Sequence, residues 1–357
     1  MKPKTQNSKL WYSLLWSLGP IVTALLFTAL LLLAVGAPPF RPFVEIFKGA
    51  LESPQKWADV ATAWVPLALV GAGMSLTFAG GLWNIGAEGQ IILGAIFAAW
   101  VARNVMLPQP LLLALIVMAG LLGGALWGLL TGALRVYAHV HEIFAGLGMN
   151  FIAMALIIWL IFNPWKPARG ATMSGTEPFP VAAWIPRLGD TRMSPLAVIL
   201  AVIAVLVAYF LLKGTRFGLE LRAMGKNTRA AFMQGVPTNN RMLLAFVLCG
   251  ALAGLAGALQ STAVYHRLIP RISGGMGYTG MLVVILAGFR PELVPAVALF
   301  FAVVGVGSPR LEMNMQLDAS LGGVLEGAIV LFVLLFAGLR KQREHQTPDS
   351  ALSVSSQ

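Results

Sequence analysis

The residues that could do chemistry in this chain are few, and they sit in apolar surroundings. Asn84, Glu88 and Gln90 fall together in Leu82-Trp83-Asn84-Ile85-Gly86-Ala87-Glu88-Gly89-Gln90, where a carboxylate, two amides and two glycines interrupt long hydrophobic sequence. Polar side chains at such depth are costly unless they line a cavity, and an intramembrane carboxylate is a functional candidate by default. They are therefore candidates for a solute path. The same segment also reads as a tight or re-entrant turn in which Glu88 fixes the start of the next helix through its dipole. Asn150 and Glu326 are two further polar groups inside apolar runs. Asn150 fits either an aqueous route or a hydrogen bond to a neighbouring helix. Glu326 fits either a route carboxylate or a buried partner for an arginine.

Patterns for catalysis are missing. His139-Val140-His141-Glu142 lacks helical histidine spacing with a third ligand, so it does not read as a metal site. Gly225-Lys226-Asn227 has neither the upstream glycine nor the Ser or Thr of a phosphate-binding loop. Neither G-x-S-x-G nor H-E-x-x-H occurs. No catalytic, metal-binding or cofactor-binding residue is assigned in this chain. The single cysteine, Cys249, lies within an apolar run, which gives it a packing role and leaves no disulfide framework.

The elements that must hold these residues are membrane helices. Of 357 residues, 58% are hydrophobic and 11% charged, against roughly 25% charged in soluble domains. Uncharged runs cover 10–40, 60–87, 89–102, 104–134, 143–165, 193–212, 242–265, 272–289, 293–309 and, interrupted only by Glu326, 319–339. A helix crosses the hydrocarbon core in about 20 residues and backbone groups cannot stay unpaired in lipid. The fold class is therefore all-α, with about ten transmembrane helices in one transmembrane domain over 1–341, followed by a disordered cytoplasmic tail over 342–357. The basic start and first apolar run exceed a signal-peptide core and read as a retained helix.

The net charge of +11 belongs to membrane-flanking loops and does not indicate nucleic acid. Lys2, Lys4 and Lys9 precede the first run, and Arg340, Lys341 and Arg343 follow the last. Both termini are expected in the cytoplasm, together with the loop 213–241, KGTRFGLELRAMGKNTRAAFMQGVPTNNR. Within that loop Asn227 is placed to cap a short helix over 228–234, preceded by a turn or two over 217–224 with Gly225 as the joint. Leu221, Met224, Phe232 and Met233 are expected to be exposed among Arg222, Lys226 and Arg229. Such a surface fits a protein groove, or anionic lipid headgroups.

Gly120, Gly123, Gly124, Gly128, Gly132, Gly250, Gly254 and Gly257 have the spacing that lets helices approach closely. Regions 65–132 and 243–307 share a plan of apolar helix, Gly-rich interruption and further apolar segments. Entering from opposite sides, they have the form of an inverted repeat with interrupted helices beside the solute route. The Pro- and Trp-rich segment 164–192 is expected on the outer surface, as a partner site or a connector.

NIGAEGQ at 84–90, the segment 142–150, RAMGKNTRAAFMQGV at 222–236 and GALAGLAGA from Gly250 together resemble the permease subunits of bacterial ABC importers. The branch is the one serving ribose, branched-chain amino acids and nucleosides, and NIGAEGQ is most similar to the nucleoside permeases. The resemblance implies half of a translocation pathway in the bacterial inner membrane. Its implied partners are a second related permease, a cytoplasmic ATP-binding subunit that carries ATP and Mg, an extracytoplasmic solute-binding lipoprotein, a small polar solute and membrane lipid. It also implies that 220–236 is the segment coupling the permease to the ATPase, with Arg222, Ala223, Gly225, Asn227, Ala230, Ala231 and Gly235 matching the family pattern. Trp83 stands where the nucleoside group usually has Phe, His141 replaces a common Asn, and Phe144-Ala145-Gly146 departs from a small polar run. These departures bear on which solute is carried. A permease for a sugar or a branched-chain amino acid, an ion-coupled carrier using Glu88 and Glu326, and a membrane scaffold are the alternatives.

Overall fold

The computed structural model describes Gly19, 22–34, 36–168 and 175–346, the residues 340–346 by backbone alone. Lys2, Lys4, Lys9 and the tail 347–357 lie outside the described residues. Every regular element among those described is helical. In chain order they are α1 (Val22–Ala34), α2 (Arg41–Leu51), α3 (Pro54–Ala79), α4 (Ala87–Asn104), α5 (Gln109–Val136), α6 (Glu142–Phe162) and α7 (Pro195–Gly214). After these come α8 (Arg216–Lys226), α9 (Thr228–Met233), α10 (Thr238–Leu259), α11 (Met276–Leu286), α12 (Val294–Gly307), α13 (Pro309–Met315) and α14 (Leu321–Gln346).

Helix starts follow local chemistry. Ser53 and Ser194 each accept a hydrogen bond from an otherwise orphaned backbone N–H, and a proline follows each at the first helical position. His141 caps α6 through Nδ1, which accepts from Ile143 N at 3.4 Å, so this histidine is occupied by the backbone. Seven helical stretches among the described residues are long and apolar enough to span a membrane, with α12 and α13 counted together; α1 and α11 are shorter apolar helices. The apolar run 60–87 does not stay helical to its end: α3 stops at Ala79 and α4 begins at Ala87. At the other end of the chain α14 continues to Gln346, past the tail boundary expected at 341.

The described residues divide between two compact units, one within 50–306 and the other drawn from those before residue 50 and after residue 306. In the larger unit α4 is buried on nearly every side, which explains why its sequence is apolar all round rather than amphipathic. α4, α5 and α10 meet through glycine. A Cβ on Gly94 or Gly124 would strike the backbone at Gly254, and one on Gly257 would strike the Ile91 carbonyl. Gly128 lies against the Phe246 carbonyl in the same way. Lipid gives helices little hydrophobic reason to associate, so this close backbone contact, with its dispersion and weak polar attraction, holds the trio together. The close-approach expectation for the glycine series is therefore met, including Gly123 against Leu93.

In the smaller unit Glu45 on α2 accepts hydrogen bonds from Arg310 Nε and Asn314 Nδ2, both at 2.9 Å. Those two donors hold its carboxyl below the ordinary carboxylate value. Phe27 and Phe332 meet edge to face with centroids 5.5 Å apart.

Candidate functional site

The turn between α3 and α4 gathers four of the five polar candidates. Gly80 N donates to Thr77 O at 3.0 Å and Gly81, at φ +72°, carries the chain round. Asn84 and Gln90 then form a reciprocal amide pair: Asn84 Nδ2 donates to Gln90 Oε1 at 2.9 Å and Gln90 Nε2 returns a bond to Asn84 Oδ1 at 3.2 Å. Both are fully buried, and Asn84 Nδ2 also reaches Cys249 Sγ at 3.0 Å. Cys249 is thus a buried packing residue that also accepts a hydrogen bond.

Glu88 and Asn150 reach outward from this turn to other helices. Glu88 Oε1 accepts from Gly275 N at 2.8 Å and Oε2 from Gly277 N at 2.6 Å, so a side chain at the start of α4 caps the start of α11. Ser273 adds a hydroxyl to the same carboxylate. Asn150 on α6 accepts from Gly89 N at 2.8 Å, donates to Ile85 O at 2.9 Å and meets the Tyr278 hydroxyl at 3.3 Å. Of the two readings open to Asn150, hydrogen bonding between helices is the one this arrangement displays. Asn84, Glu88, Gln90 and Asn150 thus make a buried polar knot around this one turn, and each of the four has a hydrogen-bonding partner. Glu326 belongs to the other unit, on α14, and has no hydrogen-bonding or ionic partner among the described residues. The arginine pairing that was open for it is therefore not made there.

The second assembly is the loop 213–241. Thr215 caps α8 and Asn227 Oδ1 accepts from Ala230 N at 3.0 Å to cap α9, so Asn227 is the cap read from the sequence. Two expectations need correction. The joint is Asn227, whose φ of −159° and ψ of 101° break the helix, while Gly225 lies within α8. Leu221 and Met224, expected to be exposed, are 0% and 1% accessible, because they turn inward onto the α3 end. Met224 Cε and Leu221 Cδ2 fill the space that a Gly80 side chain would take, and Gly225 lies flush against the Ala79 carbonyl. The large apolar side chains that α9 exposes are Phe232 and Met233. Arg222, Asn227 and Ala230 are exposed, Ala223 is half-buried, Ala231 is buried, and Gly235 adopts φ +84° where the chain leaves α9. Arg222 also ties back to α7 by donating to Leu212 O at 2.7 Å.

Glu220 anchors this loop and carried no recognisable signal in the sequence. The residue is buried, and its carboxylate pairs with Arg216 at 2.9 Å and with Arg241 on α10. Burial pushes its pKa up, and the two arginines more than offset this, so the carboxyl lies below the ordinary 4.5. Arg241 also covers the Phe217 ring at 5.7 Å. At the start of the loop, Lys213 pairs with Glu292 at 2.9 Å and lowers its carboxyl; outside the loop, Arg135 forms an ion pair with buried Glu142 at 2.8 Å, in a geometry that is not a hydrogen bond.

Elsewhere in the larger unit, segment 175–192 folds back on the residues after α10. Phe179 N donates to His266 O at 2.8 Å, Ile185 N donates to Thr262 O at 3.2 Å, and the Trp184 and His266 rings stack 4.1 Å apart. This segment is packed rather than free, although its sequence gave no partner for it.

The family described as "Branched-chain amino acid transport system / permease component" matches residues 57–334, which include both the polar knot and the loop. The chain belongs to this permease family. A glucose ABC transporter permease of Haloferax volcanii is 30% identical over 90% of this chain and 87% of its own length. A nucleoside ABC transporter permease of Lactococcus lactis subsp. cremoris is 27% identical, covering 88% of each chain. A guanosine ABC transporter permease of Bacillus subtilis is 26% identical, over 90% of this chain and 92% of the relative. The protein is accordingly an ABC transporter permease subunit and a multi-pass membrane protein. Such subunits are not themselves catalytic.

Proposed function

We propose that this permease forms half of the pathway of an ATP-driven importer for nucleosides. The observation that carries the coupling part is the α8–α9 pair, which buries Leu221, Met224 and Ala231 against the bundle and presents Phe232 and Met233 outward. That division suits an element fixed to the membrane domain on one side and to a motor protein on the other. In this reading a cytoplasmic ATP-binding subunit, holding ATP and Mg, docks on α9. A second related permease completes the route, and an extracytoplasmic lipoprotein delivers solute. ATP binding can change the orientation of the pathway only if the docked contacts differ in free energy between its two states.

The proposed topology has ten spans, reached by adding α1, α4 and α11 to the seven long stretches. It has both termini in the cytoplasm, an inverted repeat, and a location in the inner membrane of the cell. Asn84, Glu88, Gln90 and Asn150 are proposed to shape the wall of the route from behind, and Glu326 is kept as a candidate contact. The nucleoside assignment draws on the relatives in Lactococcus and Bacillus; the Haloferax relative supports a sugar as the second reading.

The test is to copurify the complex from native membranes, reconstitute it, and measure uptake of guanosine, glucose and leucine with and without ATP. ATP-dependent guanosine uptake supports the proposal. Glucose uptake alone moves the assignment to sugar, and uptake driven by an ion gradient without ATP overturns the ABC mechanism.

A further inference from the structure

Among the described residues no hydrogen bond or ion pair joins α8 to α11, yet a short run of chain touches both. At one end, Gly225 is seated on the Ala79 carbonyl, while Met224 and Leu221 close over Gly80. The turn that follows is stiff: Gly80, Gly81 and Leu82 each donate a backbone hydrogen bond into the last turn of α3, and the Asn84–Gln90 amide pair braces its far side. At the other end, Glu88 grips the amides of Gly275 and Gly277. Asn150 ties Ile85 and Gly89 of the run to α6, and to Tyr278 of α11. α11 is a short helix entered through Gly274 and Gly275, both at positive φ, so its first turn takes its position from these contacts.

We infer that residues 79–90 are the transmission element of this permease, and that Glu88 is its output: a positioning residue through which displacement of α8 reaches α11. The inference rests on the functional reading above. A carboxylate suits the role because its two oxygens satisfy two backbone N–H groups at a helix start, where the positive end of the dipole strengthens both bonds. A glutamine of the same size cannot do this, since its amide offers one acceptor oxygen and turns N–H groups toward the second donor. Burial and shape are kept in that exchange, and only the clasp is lost. Movement can pass along the run because packed backbone and fixed hydrogen bonds shift as a unit rather than deform continuously. Tyr278, a 41% exposed residue whose hydroxyl meets Asn150, is the α11 residue that would be displaced first.

The experiment compares wild type, Glu88→Gln and Glu88→Asp in the complete reconstituted complex, reading solute taken up per ATP hydrolysed. The expected ratio for E88Q is about tenfold below wild type, the factor that corresponds to losing one charge-assisted hydrogen bond. E88D, which keeps both oxygens on a shorter arm, falls in between. A simple packing role would be preserved by glutamine, so a normal ratio in E88Q overturns the inference. If E88Q fails to assemble, amide exchange of the wild-type complex decides: protected Gly275 and Gly277 amides in nucleotide-free and ATP-trapped states support the clasp, and free exchange in either state overturns it. Loss of ATP-driven uptake by the wild type itself counts against the permease function, a result distinct from any of these.

Discussion

Gly225 offers the sharpest test of the α8 dock, because the obstacle facing it is backbone. A Cβ at this position would run into the Ala79 carbonyl oxygen and lie 3.1 Å from both the Ala79 carbonyl carbon and the Gly81 nitrogen. Neither atom can swing aside as a side chain can, so α8 must retreat. Overpacking of this kind costs about 1–3 kcal/mol. Replacing glycine by alanine inside a helix returns about 1 kcal/mol, and replacing it by valine roughly half of that. The net effect is thus about 0–2 kcal/mol for Gly225→Ala and about 1–3 kcal/mol for Gly225→Val, whose methyl groups add to the clash. Since about 1.4 kcal/mol is a factor of ten, the docked population falls up to about 30-fold for alanine and about 5- to 150-fold for valine. The assay is uptake per ATP hydrolysed in proteoliposomes, with surface labelling to confirm that insertion is normal. Gly214→Ala serves as the control, because nothing lies within 4 Å of its added Cβ. A G225V complex with the wild-type ratio would refute the argument, as would a G214A control that loses as much as G225V.

Three further outcomes follow from the same contacts. Phe232→Ala with Met233→Ala should reduce copurification of the ATP-binding subunit by about tenfold, as expected when a pair of exposed anchors is truncated at a small interface; undiminished copurification would place the dock elsewhere. Gln90→Leu leaves the buried Asn84 amide short of a partner, at a cost of about 1–3 kcal/mol, so the purified subunit should melt at a lower temperature than wild type. Glu220 gives a pH dependence. Its folded pKa lies below the ordinary 4.5, so its stabilisation of the loop is complete above that value and is lost as pH falls through the lower folded value. Protease resistance of 213–241 should therefore persist at pH 5 and fail only in stronger acid, and Glu220→Gln should remove that acid step.

The all-helical class was legible because long uncharged runs admit no other spanning structure at this length. The glycine seam was legible too, since Gly120, Gly124, Gly128, Gly250 and Gly254 recur at helical spacing and find one another across α5 and α10. Where a run contains a break, the sequence said less. The run 60–87 stays apolar through the Gly80–Gly81 turn, so composition alone hid the end of α3. Polarity identified Asn84, Glu88, Gln90 and Asn150, yet not their partners: Glu88 meets Gly275 and Gly277 through backbone amides, which leave no trace in residue type. In the loop, the Asn227 cap could be read from local chemistry. The burial of Leu221 and Met224 could not, because it depends on a groove made by glycines far away in the chain. Glu220 was hidden for the same reason, its second arginine lying on α10.

The central claim is that 213–241 faces the cytoplasm and meets the ATP-binding subunit there. The direct measurement replaces Met233, 76% exposed, by cysteine and treats intact cells and opened membranes with an impermeant thiol reagent. The native Cys249 is buried and does not interfere. The account predicts labelling only after the membrane is opened, and protection from it when the ATP-binding subunit is bound. Labelling of intact cells would contradict it.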